Sequence, residues 1–353
     1  MQLNRVIMMA GGTGGHVFPA LAIAKELEMR GTKILWLGTR GRMEEILVPK
    51  HGFDIKYIDV KGIRRNGLIR KLKAPFMVLH AIMQARAIFK EFKPDLVIGM
   101  GGYASGPGGL CAFLMSIPLV LHEQNAAAGL TNKLLSKFAK HIFLGFPGAF
   151  KGKKVEVVGN PVRQSILALH HKPKDFSSKI NILIVGGSLG ARALNDEIPS
   201  ILNNLDIDSN LISVTHQTGK DNSQKTYTLY RQDKFDVNVV DFIDNMDEAL
   251  DKAHLIICRA GALTCAEVIC CNLPAIFVPL PTAVDDHQTY NAMTYVNEGA
   301  ALIVSQKDLK YKLADTIKDL VLNKEKLSQM SKRCFDVATI DATHKVIDRL
   351  ERL

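Results

Sequence analysis

Short apolar runs alternate with stretches of helical periodicity along the whole chain. In the first half the runs fall at 5–10, 33–37, 55–58, 96–99, 119–122, 141–144 and 155–158. In the second they fall at 181–185, 211–215, 237–241, 255–258, 275–278 and 301–304. Strand-like runs separated by helices imply parallel sheets covered on their faces, with ligands at the carboxyl ends of the strands. The two halves also open alike. RVIMMA at 5–10 leads through GGTGGH at 11–16 into the helical pattern VFPALAIAKEL, and NILIV at 181–185 leads through GGSLGA into another. A strand, a glycine turn and a helix N-terminus make an anion site, because free N–H groups and the positive helix end converge there. The predicted class is therefore α/β, with two Rossmann-like, doubly wound domains facing a cleft.

The chain has 353 residues, enough for two cores. Asn160-Pro161 marks a turn, and the polar stretch to about Lys179 reads as a linker. The expected division is 1–163, then 164–335, then a closing helix at 336–353 that can pack back on the first domain. The helical pattern itself runs from 324 to 353 with no strand after it.

Composition, at 47% hydrophobic and 23% charged, is that of a soluble globular protein. The first strand begins at Arg5, which leaves no room for a signal peptide, so a cytoplasmic location is expected. Residues 96–121 carry no charge, but six glycines and two prolines argue against one spanning helix. The six cysteines contain no CxxC pair and read as buried reduced thiols.

The charge is uneven. Residues 1–165 hold 24 Lys/Arg against 10 Asp/Glu, whereas 166–353 hold 21 against 25. An anionic partner is thus expected for the first domain only. The run 61–73 concentrates it: Lys61, Arg64, Arg65, Arg70, Lys71 and Lys73 stand among Ile63, Leu68, Ile69 and Leu72 with no acid. Apolar interleaving favours an anionic lipid surface over a solvated loop. Nucleic acid is not expected, because the glycine-rich segments lack interleaved aromatics for base stacking.

A nicotinamide cofactor is disfavoured, since neither turn fits GxGxxG and neither second strand ends in an acid. His16 closes the first turn beside a helix N-terminus, where a neutral imidazole is placed to accept a proton, although a capping role is the plainer alternative. GMGGYASGPGG at 99–109 can close around a phosphate or sugar. His122, Glu123, Gln124 and Asn125 put four polar side chains at one strand end. Thr264 to Glu267 fits a capping box, and equally a carboxylate accepting from two ribose hydroxyls. Asp206 and Asp208 form a DxD at the amino edge of the second sheet, the wrong edge for a metal–diphosphate. It reads as a solvated turn, and no metal or cofactor is expected.

Together GGTGGHVFPALA, GMGGYASGPGG, LHEQNAAAGLTN, VVGNPVR, VGGSLGARALN, FIDNM, CRAGALTCAE and DDHQTYNA, in that order, resemble the MurG family of bacterial peptidoglycan N-acetylglucosaminyltransferases. The resemblance implies a GT-B fold. It also implies inverting transfer of GlcNAc from UDP-GlcNAc to the MurNAc C4 hydroxyl of lipid I, giving lipid II at the cytoplasmic face of the membrane, with the enzyme peripheral. Carried onto this sequence, Phe242 and Ile243 flank the uracil and Glu267 binds the ribose. Ser188 and the 186–190 turn hold the diphosphate with Arg163. Asn125, Ala262, Leu263, Thr264, Cys265, Ala266 and Gln288 surround the sugar, and Thr13, Gly14 and Gly15 line the cleft. His16 is the candidate base, alone or with Glu123. Leu189 stands where relatives often have Gln, and His287 precedes Gln288 where some have a Gln pair. A UDP-GlcNAc 2-epimerase of the same fold is the alternative reading.

Overall fold

The computed structural model describes residues 3–60, 68–187 and 190–353, with the side chains of the helix that begins at Leu68 described from 75 onward. The chain forms two compact units, Met1–Arg163 with Asp341–Leu353, and Gln164–Ile340.

The first unit holds a seven-stranded parallel sheet. Its strands are β1 (Arg5–Met9), β2 (Lys33–Gly38), β3 (Asp54–Tyr57), β4 (Leu96–Gly99), β5 (Leu119–Glu123), β6 (His141–Leu144) and β7 (Val155–Val157). Their order is β3-β2-β1-β4-β5-β6-β7. Both faces are apolar, as parallel strands require. Val6, Met8, Trp36, Ile98 and Phe143 pack against the helix Gly14–Met29 on one face. Ile7, Met9, Leu37, Val97 and Leu121 meet Ala81, Ala85 and Phe89 of the helix Leu68–Phe92 on the other.

The second unit repeats the plan with β8 (Ile180–Val185), β9 (Ile212–Gln217), β10 (Asp236–Val240), β11 (Leu255–Cys258), β12 (Ala275–Phe277) and β13 (Ala301–Ile303), ordered β10-β9-β8-β11-β12-β13. In each sheet the winding reverses between the first and fourth strands in chain order. Met9 pairs with Gly99 there in one unit, and Val185 with Cys258 in the other. Ligands of doubly wound sheets bind at that reversal, outside the strand ends. All thirteen apolar runs read from the sequence are strands.

The end of the chain departs from the expected single helix. Lys324–Val337 belongs to the second unit, and a separate helix Ala342–Glu351 buries Val346, Ile347 and Leu350 in the core of the first. The turn between them holds Thr339 and Ile340, whose branched side chains favour extended backbone. All six cysteines are buried and free, and burial pushes the Cys258 thiol up to about 12. No described helix is long and apolar enough to cross a membrane.

Candidate active site

In the first unit two glycine turns leave adjacent strands at the reversal. Residues 10–15 follow β1 and residues 100–104 follow β4, and Met100 N donates to Met9 O at 2.8 Å. The turns touch so closely that a Cβ on Gly102 would sit 2.7 Å from Gly11 O, while its φ of +92° is itself a glycine conformation. Glu44, 1% exposed, secures the first turn. Its carboxylate accepts from Gly12 N at 2.9 Å, Thr39 N at 3.2 Å and Thr39 Oγ1 at 2.8 Å.

The turn opens into the helix Gly14–Met29, capped by extended Thr13 with no side-chain bond, so the N–H groups of its first residues point outward. His16 is the third residue of that helix and half-buried. A Cβ on Gly101 would lie 2.8 Å from His16 Cε1, so the second turn packs against the imidazole where only glycine fits. His16 Nδ1 lies 2.8 Å from Gln124 Oε1. Gln124 and His122 are both buried, and burial lowers His122 to about 4, which leaves it neutral near pH 7.

In the second unit the turn after β8 is tight. Gly187 and Gly190 have φ of +83° and +72°, and Gly190 N donates to Gly187 O at 2.9 Å. Gln217, ending β9, clamps it through both ends of its amide: Gly187 N donates to Oε1 at 3.1 Å and Nε2 donates to Gly187 O at 3.0 Å. A helix, Arg192–Asn203, follows. From the neighbouring β11 the chain turns at Gly261 into the helix Ala262–Cys270. Asn291 Nδ2 donates to Ala260 O at 3.1 Å and ties the helix His287–Val296 to this turn. Asp285 and Asp286, just before that helix, both take left-handed backbone, at φ of +52° and +49°. Such strain in non-glycine residues gathers at functional sites.

Each unit thus joins a strand, a glycine turn and a helix, and one carries an imidazole at its helix start. Residues 6–144 match the glycosyltransferase family 28 N-terminal domain and 181–347 its C-terminal domain. A Shewanella woodyi protein described as UDP-N-acetylglucosamine--N-acetylmuramyl-(pentapeptide) pyrophosphoryl-undecaprenol N-acetylglucosamine transferase is 50% identical over 99% of this chain and 97% of its own. The chain belongs to the MurG family. The crystal structure of Acinetobacter baumannii MurG is 40% identical, covers 99% of this chain and 100% of its own, and superposes with a TM-score of 0.84. A UDP-N-acetylglucosamine 2-epimerase shares the fold alone, at 15% identity and a TM-score of 0.69 over 99% of this chain and 95% of its own.

The residues expected from the MurG resemblance fall as follows. Thr13 is exposed, and Gly14 and Gly15 are half-buried in the first helical turn. Arg163 ends the first unit with its guanidinium carbon 5.4 Å from the Phe18 ring centre. Phe242 and Ile243 follow β10 and, with Thr215 and Asn245, line a cavity of about 480 Å³ that runs along the sheet face to Asn181. Ala262, Leu263, Thr264, Cys265 and Ala266 form the start of one helix. Gln288 is half-buried and its Oε1 accepts from Leu280 N at 2.9 Å. Ser188 and Leu189 lie outside the described residues, as do Lys61, Arg64 and Arg65 and the side chains of Arg70, Lys71 and Lys73.

The structure bears on three readings. The capping box at 264–267 does not form, because Gly261 is the N-cap and Glu267 lies in the second helical turn. Glu123 is 2% exposed, and its oxygens accept from Asn125 N and Nδ2, Gly129 N and Asn132 Nδ2 at 2.9–3.3 Å. The DxD is spent locally, with Asp206 paired to Lys318 at 2.9 Å and Asp208 accepting from Asn210 N. No cluster of three metal-ligating side chains occurs among the described residues. The roles of Glu44 and Gln217 escaped the sequence, although the missing acid at the end of β9 marked the place.

His122 makes the first unit acid-sensitive. Its folded value is depressed from 6.5 to about 4, so below pH 6.5 the unfolded chain binds the extra proton, and stability is lost as pH falls toward 4. The loss between pH 7 and pH 5 is about 2 kcal/mol. Trp36, the single tryptophan, is fully buried in the same unit and reports its unfolding. Denaturant titrations followed by Trp36 fluorescence should show this drop in the wild type and a smaller one in His122→Gln, where His141, also lowered by burial, remains.

Proposed function

We propose that this chain transfers GlcNAc from UDP-GlcNAc to the C4 hydroxyl of MurNAc in undecaprenyl-linked lipid I, with inversion at the anomeric carbon. The observation that carries this reading is 50% identity across 99% of the chain to a transferase named for that reaction. In the step, the acceptor oxygen bonds to the anomeric carbon as the bond to the diphosphate breaks. The hydroxyl proton passes to His16, and UDP leaves with the bonding pair.

His16 acts as the base without Glu123, whose carboxylate shapes the 123–132 loop. Departing charge is stabilised by the 186–190 turn and the outward N–H groups at Ala262, Leu263 and Thr264 of the second unit, and by Arg163 at the end of the first. Glu267 receives the ribose hydroxyls, and Phe242 and Ile243 flank the uracil. Asn125, Cys265, Ala266 and Gln288 surround the sugar. Helix ends and a guanidinium supply the positive charge that other transferases take from a metal.

Radiolabelled GlcNAc should pass from UDP-GlcNAc into a butanol-extractable lipid only when lipid I is added. Label converted to another UDP-sugar without acceptor would instead establish an epimerase. His16→Ala is expected to lower kcat by about 10²–10⁴ with UDP-GlcNAc binding changed only a few-fold. Near-normal turnover would remove His16 from the mechanism.

The same reading makes the chain a peripheral protein of the cytoplasmic membrane face, bound to its anionic surface. Beyond the basic run, the helix Leu68–Phe92 exposes Phe76, Leu79 and Met83 at helical spacing. Phe113 and Leu114 are exposed on another helix of this unit, and the Phe113 ring stands 4.5 Å from that of Phe138. Clustered apolar groups beside basic ones suit a lipid interface. Replacing Lys61, Arg64, Arg65, Arg70, Lys71 and Lys73 with Ser should abolish salt-sensitive sedimentation with anionic vesicles, each charge contributing about 1 kcal/mol at most. Turnover of a soluble, short-chain lipid I analogue should persist. Unchanged sedimentation would make the run a solvated loop.

A further inference from the structure

The hydrogen bonds behind His16 have a direction that can be read from one end. Gly159 O can only accept, and it lies 3.1 Å from His122 Nε2, so that nitrogen carries the proton. His122 is neutral, so its Nδ1 is an acceptor. Gln124 Nε2 lies 3.2 Å from this Nδ1 and 3.2 Å from His122 O. Both are acceptors, which settles the orientation of the amide: its NH₂ faces His122 and its oxygen faces His16. At 2.8 Å from that oxygen, His16 Nδ1 must be the donor. The remaining nitrogen, Nε2, is then bare.

We propose that Gln124 is a positioning residue that holds His16 in the Nδ1–H tautomer and so leaves Nε2 as the proton acceptor. The inference rests on His16 as the base. Three observations make Gln124 a fixed point. It is 1% exposed, its own carbonyl accepts from Asn160 Nδ2 at 3.0 Å, and both polar ends of its amide are engaged. The imidazole has little room to turn, because Gly101 packs against it. An amide suits the task. Its oxygen accepts from Nδ1–H both before His16 takes the acceptor proton and after, when the imidazolium donates from both nitrogens. Gln124 itself exchanges no proton. A carboxylate there would add a buried negative charge beside the carbonyls of His122 and Gly159.

The test is the ring-nitrogen NMR spectrum of ¹⁵N-histidine-labelled protein, with His16→Ala to assign the signals, read alongside steady-state kinetics of Gln124→Met. In the wild type, His16 Nδ1 should give the protonated signal and Nε2 the bare one. In Gln124→Met the two tautomers should mix. Its kcat should fall about ten- to a hundred-fold, the range seen when the partner orienting a functional imidazole is removed. KM for UDP-GlcNAc should stay within about two-fold, because Gln124 lies in the first unit. A wild-type His16 protonated on Nε2 would overturn the proposal. So would an unaltered tautomer or an unaltered kcat in Gln124→Met. If Gln124→Met fails to fold by Trp36 fluorescence, the wild-type spectrum decides alone. Full turnover in His16→Ala would discard the base and its catalytic consequence, while the spectrum would still report whether Gln124 sets the tautomer.

Discussion

The approach of Gly102 to Gly11 is the contact on which the first unit's chemistry depends. Parallel pairing of β1 with β4 brings two strand ends side by side, and the chain leaving each must turn at once into a helix. Two turns fit there only if one has no side chain facing the other, since a Cβ at 102 would overlap the backbone of residue 11. This approach sets Gly101 against His16 and fixes where the first helix starts. Glu44 and Trp36 hold the turn from behind, Glu44 by taking Gly12 N and Trp36 by donating its indole N–H to Ala10 O at 2.8 Å. Rigid placement matters, because a base contributes only from within hydrogen-bond reach of the proton it takes.

The second unit solves the same geometric problem with different chemistry. Its turn after β8 is held by the neutral amide of Gln217, where Glu44 serves in the first unit. A buried carboxylate beside a diphosphate would oppose the ligand electrostatically, whereas an amide satisfies the same backbone groups without charge. This explains why β9 does not end in an acid. The strand end that would hold a dinucleotide's ribose is occupied in securing the turn that, under the proposed mechanism, takes the diphosphate. The ribose contact is assigned instead to Glu267, on the helix after β11.

Much of this was legible in the residues. Central strands buried on both faces leave apolar runs, the edge strands β3, β7 and β10 keep broken ones, and the paired glycine turns exposed the duplication. What could not be read depended on contacts between segments far apart in sequence. Glu123 and Gln124 are neighbours with similar side chains, yet one is consumed by the 125–132 loop and the other faces His16. Their alternation where β5 ends at Glu123 decides this, and periodicity does not say which face meets the first helix. The capping box failed for a local reason: Gly261, extended at φ −63° and ψ 142°, starts the helix three residues before Thr264. Thr339 and Ile340 favour the break after Val337, but that the last helix buries Ile347 and Leu350 in the other unit's core is specified by no local signal in 338–341.

Duplication followed by divergence gives the division of labour a physical basis. Both turns lead into the positive end of a helix, equivalent to about half an elementary charge. Such a site favours anions and disfavours a second cation. Under the proposed mechanism the second unit uses it for charge leaving with the diphosphate, and needs no titrating side chain at the described part of its turn. The first unit places an imidazole at the corresponding helix start. A base and a leaving-group site built on one turn would compete, because each proton taken by the imidazole would alter the field on the diphosphate. Two copies let the requirements be met separately. The basic balance of the first half, 24 Lys/Arg against 10 Asp/Glu, then remains available for an anionic acceptor and the surface that carries it.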